Sequence, residues 1–362
     1  MRRRSACSLV TRATVRVVFA LLVNGALSSA YAANCTAEQG QLLIDQGRYK
    51  QAISEFTCVI DAHPTDVEGY RGRIEAQLLL GQYSNSFRDY SRVTAVVTPV
   101  HPDAEATILA GYAARLEGAP TSITALTGAS FARWAFFDYL GAIHLLDQLL
   151  DLQPANPYGY LFRGSSRLLK GHAVNDGVGD LDYAIALAPA SPDVHYIVAD
   201  AYTYGLPDPS RAFTEATFAL EGGLDTPRVH AILGSAYLAF GNISAAAAEI
   251  QKHIQLVTTG LVTTSALPAG TTLERGVVPG QTLNIPLVVS AGEKVSIVTS
   301  SRDYWDTILV LLDSNGNPVL GSDDSWKYFA AFDWTAPSGG NYRIRVTFFE
   351  GVITGTLRVA RK

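Results

Sequence analysis

Two spacings of apolar residues divide this chain. From Thr36 to about Val257 they recur every three or four positions, the period that gathers them on one face of a helix. The clearest stretch is HAILGSAYLAFGNISAAAAEIQKHI, His230 to Ile254, which reads as two amphipathic helices separated at Gly241. Small residues, Gly234 and Ala246, mark where the helices approach most closely. Tyr237 fills the space between them, and Gly241 permits the turn. The arrangement returns in phase at Gly40, Gly47, Tyr49, Ala52 and Phe56, where Pro64 stops the second helix. It returns again at Tyr139, Ala142, Leu146 and Pro154, then at Tyr160, Gly164 and Gly171, and in the step from Ala184 to Pro189. About six helical pairs are predicted. Those beginning near Val67, Ala104 and Asp193 are degenerate, with an insertion at Gly118 to Ala129.

After Thr258 the helical period disappears. Residues 259–267 read as a Thr/Ser/Pro/Gly linker, open to proteases. Beyond it LNIPLVVS, KVSIVTSS, DTILVLLD, NYRIRVTFF and TGTLRVAR are short β-branched runs between Gly, Asn, Asp and Pro turns. Residues 268–362 therefore predict a β-sandwich of six to eight strands. The most acidic and turn-rich stretch of this part is WDTILVLLDSNGNPVLGSDD, Trp305 to Asp324.

The repeated L-G-x-x-Y on a first helix, with small and apolar residues on a second, resembles the tetratricopeptide repeat over residues 33–258. The resemblance implies a right-handed α-solenoid whose first helices line a concave groove for a protein or peptide partner. Counted in phase from the glycines, the groove-facing residues are Arg71, Glu75, Tyr158, Leu161, Tyr196, Asp200, Tyr204 and Arg228. The basic clamp with which some relatives grip a terminal carboxylate is not evident. The C-terminal part carries Gly276, Ala291-Gly292-Glu293-Lys294-Val295, Asp306 to Asp313, Gly316, Asp323-Asp324, Ala336-Pro337-Ser338-Gly339-Gly340-Asn341-Tyr342 and Gly355. In that order they resemble the bacterial pre-peptidase C-terminal domain. This implies a jelly-roll-like sandwich that aids localisation, adhesion or surface contact and contains no peptidase chemistry of its own. It also implies that TILVLLD is a buried strand, Ser314-Asn315-Gly316-Asn317 a hairpin turn and PVL the start of the return strand.

Some members of that family bind calcium, which makes Asp303, Asp306, Asp323 and Asp324 candidate ligands. An EF-hand is excluded, because its glycine is sixth from the first aspartate, whereas Gly316 is fourth from Asp313. The expectation is that these loop aspartates form turns.

Charge and cysteine usage add a compartment. Arg2, Arg3, Arg4, Arg12 and Arg16 precede VVFALLV, and Ala30-Tyr31-Ala32 has the pattern of a cleavage site, so residues 1–32 are expected to be an export signal. Its removal leaves 23 basic against 33 acidic residues, a net charge of −10, with no basic cluster to neutralise a phosphate backbone. Nucleic acid is therefore not an expected partner. Cys35 and Cys58 remain as a pair, which outside the cytoplasm predicts a disulfide.

Catalytic signals are missing. The histidines at 63, 101, 144, 172, 195, 230 and 253 form no metal-ligand spacing, and no nucleophile elbow, phosphate loop or dinucleotide fingerprint occurs. The sequence thus predicts a secreted or envelope-located, non-enzymatic interaction scaffold without a cofactor. Its alternatives are a carbohydrate- or matrix-binding module using Tyr304, Trp305, Trp326 and Tyr328, and a hydrolase whose residues are dispersed along the chain.

Overall fold

A computed structural model describes residues 35–98, 100–301, 306–323, 329–349, 351 and 355–362. Thirteen α-helices among them form a solenoid, followed by a two-sheet β domain. The helices are α1 (Ala37–Asp45), α2 (Tyr49–Ala62), α3 (Val67–Leu79), α4 (Tyr83–Arg92), α5 (Ala104–Gly118), α6 (Ile123–Ala135) and α7 (Tyr139–Leu152). They continue as α8 (Pro157–Lys170), α9 (Val174–Leu187), α10 (Pro192–Tyr204), α11 (Pro209–Glu221), α12 (Pro227–Ala239) and α13 (Ile243–Val257).

Side-chain caps start many of them, among them Thr36, Asp66, Ser122, Asn156, Ser191 and Thr226, each accepting a backbone N–H of the first turn. Proline occupies the first position of α8, α10, α11 and α12, where its missing N–H costs nothing. Cys35 and Cys58 are bridged, with Cα atoms 6.0 Å apart, and the bridge joins the start of α1 to α2. Closing that loop stabilises the outermost pair by about 3 kcal/mol.

The inner helices of successive pairs are α1, α3, α6, α8, α10 and α12. Large rings of the outer helices wedge against inner-helix glycines. A Cβ added at Gly72 would meet the Phe56 ring at 2.0 Å, and one at Gly128 would meet Tyr112 at 2.3 Å. Tyr112 is on α5, so α5 is the outer helix of the second pair and α4 is additional. The insertion expected at Gly118 to Ala129 instead occupies the region of α4 and the π-helical turn Val93–Val97 that follows it. Of residues 118–129, only 119–122 are a turn, and 123–129 already belong to α6.

The β domain comprises β1 (Gly260–Thr263), β2 (Thr271–Val277), β3 (Gln281–Val289), β4 (Lys294–Ser301), β5 (Thr307–Leu312), β6 (Pro318–Asp323), β7 (Ala331–Thr335), β8 (Gly340–Phe348) and β9 (Gly355–Arg361). One sheet has the order β1-β3-β8-β5-β6 and the other β2-β9-β4-β7. Leu283, Ile285, Leu309, Leu311, Ile344 and Val346 of the first face Val295, Ile297, Leu357 and Val359 of the second.

The segment read as a linker is partly strand. β1 adds to the larger sheet parallel to β3, and Thr259 N donates to Gly280 O at 2.7 Å. Tertiary pairing stabilises a segment whose Thr/Ser composition carries no helical signal.

Strand β5 is buried on both faces. Leu309 and Leu311 enter the sandwich core, while Ile308, Val310 and Leu312 meet Ile250 and Ile254 of α13. Each such side chain contributes about 2 kcal/mol by leaving water. Gly321 of β6 lets α13 lie close, since a Cβ there would be 2.9 Å from Ile250. The sheet and the array therefore share an apolar interface.

Candidate functional site

Helix α4 decides what the inner face of the array meets. Its aromatic residues Tyr83, Phe87 and Tyr90 recur at i, i+4 and i+7, so one face of the helix carries all three. That face lies across the inner helices. Tyr83 stacks near Tyr158 and Phe162 of α8, with centroids at 5.9 and 5.6 Å. Phe87 meets Trp134 of α6 at 4.8 Å and Tyr196 of α10 at 5.8 Å. The Tyr90 hydroxyl donates to Ala135 O at 2.7 Å, and the Ser84 amide donates to Asp193 Oδ1 at 2.7 Å. Arg73 anchors the opposite face by a two-armed bond to Asp89, both arms 2.7 Å.

The expected groove is thus occupied by the chain itself. Tyr158, Leu161, Tyr196 and Asp200 are buried there rather than displayed. Arg71 and Glu75 are also buried, but beside α5: Glu75 accepts from Arg115 at 2.5 Å and lies 3.5 Å from Arg71, whose guanidinium sits over the Tyr112 ring. Burial pushes the Glu75 carboxyl up against the pull of both arginines. Of the eight groove candidates only Tyr204 and Arg228 reach solvent, at 38% exposure for Tyr204 and 30% for the Arg228 side chain.

Those two residues meet at a junction that the sequence did not reveal. Arg228, on α12, donates from Nε to Asp200 Oδ1 at 2.7 Å. Its guanidinium lies 5.3 Å from the Tyr204 ring, 5.9 Å from Phe87 and 5.9 Å from Phe349, which follows β8. Rings from α4, α10 and the sandwich therefore surround one cation. His253 of α13 reinforces the contact, its Nε2–H donating to Phe349 O at 2.7 Å, and burial lowers its pKa to about 4.

Two clefts open beside this cluster and share Phe87, Ser91, Arg228 and Phe349 in their walls. One, about 370 Å³, is rimmed by Trp134, Phe137, Tyr139, Leu169 and Tyr204. The other, about 540 Å³, runs between α4 and the sandwich and carries Arg88, Arg92 and Asp225. A hollow of about 680 Å³ near Tyr49, Tyr83 and Asn156 has no charged side chain in its described lining.

Phe137 is the residue that sequence reasoning missed most clearly. Its φ is +64°, and it is 75% exposed. The corresponding turns after α1, α3, α8 and α12 hold Gly47, Gly81, Gly171 and Gly241, with φ between +66° and +73°. The signal lies in the turn sequences QGRY, LGQY, FGNI and FFDY, where only the last lacks glycine.

The acidic stretch is a β5–β6 hairpin. Asp313 shapes its turn by accepting from the Asn317 side-chain amide at 3.0 Å and from the backbone amides of Asn317 and Asn315 at 2.8 and 2.9 Å, which holds its carboxyl below the usual range. Of the calcium candidates, Asp306 borders the smaller cleft and Asp323 lies in β6, while Asp303 and Asp324 fall outside the described residues. No group of three or more His, Cys, Asp or Glu suited to a metal ion occurs among the described residues. The aromatic platform Tyr304, Trp305, Trp326 and Tyr328 also falls outside them.

Residues 38–95 match the tetratricopeptide repeat family. No curated protein matches the chain. Among solved structures, a tetratricopeptide repeat protein from Parabacteroides merdae is 16% identical, covering 61% of this chain and 77% of its own, with a TM-score of 0.37. A thermophilic tetratricopeptide protein from Thermus thermophilus is 19% identical, with coverages of 56% and 96% and a TM-score of 0.33. The pre-peptidase C-terminal domain of a Bacillus anthracis collagenase is 15% identical, covers 28% of this chain and 95% of its own, and gives a TM-score of 0.24. Tetratricopeptide repeats thus lie at residues 38–95, and repeats of this kind imply a protein-interaction scaffold and are typically non-catalytic.

Proposed function

We propose that this is an exported, non-enzymatic scaffold that docks a protein partner at the junction of its helical array and its β-sandwich. The observation that carries the reading is the closure of the concave face by α4, beside which the two clefts around Arg228 stay open with aromatic and charged walls. Aromatic side chains and arginines in well-packed pockets supply most of the energy in protein recognition. The sandwich, fixed to α13, presents that junction in one orientation and serves in localisation or surface adhesion. Export rests on the basic, apolar and small-residue order of residues 1–32.

A pull-down from the protein's own envelope fraction tests both parts. Ser91 lies in the walls of both clefts, so Ser91→Trp fills them. A partner recovered by the unaltered chain and lost with S91W is the expected result. Equal recovery moves the site elsewhere, and an exported chain that does not begin near Ala33 removes the signal-peptide reading.

A further inference from the structure

The two clefts differ in chemistry. In the larger one, Arg88 donates to Asn85 Oδ1 at 2.9 Å, an uncharged partner. Arg92 comes no closer than 4.0 Å to Asp89, whose oxygens already accept from Arg73. Asp225, the acid among the described lining residues, accepts from His230 at 2.7 Å and lies 3.6 Å from Lys252. Arg228 is balanced by Asp200. This wall therefore carries surplus positive charge in a chain whose formal net charge is −5.

The smaller cleft is the aromatic end. Phe137 stands on its rim in a backbone conformation that four sister turns give to glycine. A β-carbon at positive φ is strained, and three-quarters exposure recovers little of that cost through burial. A bulky ring held there is explained by something that packs on it.

We infer that the clefts form one furrow for an extended acidic peptide segment carrying an aromatic side chain, with its carboxylates toward Arg88 and Arg92 and its ring beside Phe137. This rests on the docking site proposed above and adds the chemistry of the occupant. Guanidinium groups pair with carboxylates through two-armed bonds, and opposite charge across an interface speeds encounter and fixes register. Ring-on-ring contact in the aromatic end supplies the anchor. Phe87 and Arg228 separate the two ends and lie within reach of both.

The test is a phage-displayed library of random dodecapeptides panned on the full chain at about 0.15 M salt. Enriched sequences should combine Asp or Glu with Phe, Trp or Tyr. A synthetic peptide of the enriched sequence should bind at least about tenfold more weakly to Arg88→Glu/Arg92→Glu. It should also bind more weakly to Phe137→Gly, a variant whose turn keeps the conformation of its sisters. Weakening by added salt should be smaller in the charge-reversed variant. Basic or purely apolar sequences, no enrichment, or acidic aromatic peptides that bind both variants unchanged would overturn the inference. The S91W pull-down reads the docking site separately, so a partner lost there while peptide selection fails sinks only the assigned chemistry.

Discussion

The guanidinium of Arg228 lies 5.9 Å from the ring centre of Phe349, so a side chain of the last inner helix touches the sandwich directly. The same guanidinium pairs with Asp200, which is 4% exposed. Its removal leaves a carboxylate without its counter-charge in a nearly dry site. Arg228→Ala should cost about 2 kcal/mol, discounted from the figure for a wholly buried pair because the arginine is partly solvated. The double variant Arg228→Met/Asp200→Asn should be less harmed than Arg228→Ala, because the buried Asp200 charge is removed together with the guanidinium. Urea denaturation of the three proteins checks this order.

Phe137 offers an opposite sign. A glycine at φ +64° removes the clash of Cβ with the backbone, against a smaller entropic cost of folding because glycine leaves the unfolded chain freer. Phe137→Gly should therefore stabilise the protein by about 1 kcal/mol, seen as a higher thermal midpoint. A lower midpoint would mean that the exposed ring holds the array together.

Three buried or half-buried histidines respond to pH in two directions. His195 has Glu215 Oε2 at 2.5 Å from Nδ1 and Pro189 O at 3.0 Å from Nε2. His230 has Glu249 at 2.6 Å and Asp225 at 2.7 Å. Burial alone would lower both pKa values, but these acceptors raise them above 6.5. Their contribution is full below pH 6.5 and is lost as pH rises through the raised folded values. His253 is the reverse, because burial holds it neutral with a pKa of about 4. It stabilises fully above pH 6.5, and about 3 kcal/mol is lost as pH falls toward 4. Melting curves from pH 4 to pH 9 should show both slopes. His253→Gln should flatten the acid side alone, and His195→Gln with His230→Gln the alkaline side.

The segment at 259–267 should resist proteases. β1 pairs with β3, and α13 is packed on β5 immediately before it. Limited proteolysis of the folded protein should leave this segment intact. Ile254→Asp places a charge against Ile308 and Val310, costs about 3 kcal/mol and should open the segment to cleavage. Cleavage in the unaltered protein at the same rate would show that the junction opens readily.

Local patterns determined the helices and strands. Helical spacing, capping residues and turn glycines are short-range signals, so Gly241 with Tyr237 and Ala246 announced a helical pair without knowledge of its neighbours. The run TILVLL announced a buried strand, and the structure showed that it is buried on both faces, with α13 covering the second. Cys35 and Cys58 were a legible pair because they alone remain after residues 1–32, and the bridge ties the residue just before α1 to α2.

Tertiary structure alone decided what the inner face of the array meets. A residue's phase on a helix says which way it points, and Tyr158 and Tyr196 do point inward. Whether they meet solvent or another helix depends on an element far away in sequence. Here it is α4, whose Ser84 bonds to Asp193 across 109 positions. The same holds for the junction, where Phe87, Tyr204, Arg228 and Phe349 are scattered along the chain and converge only because α13 fixes the sheet against the array. Periodicity records the environment of one element at a time, whereas a site built by several distant elements is a property of their packing.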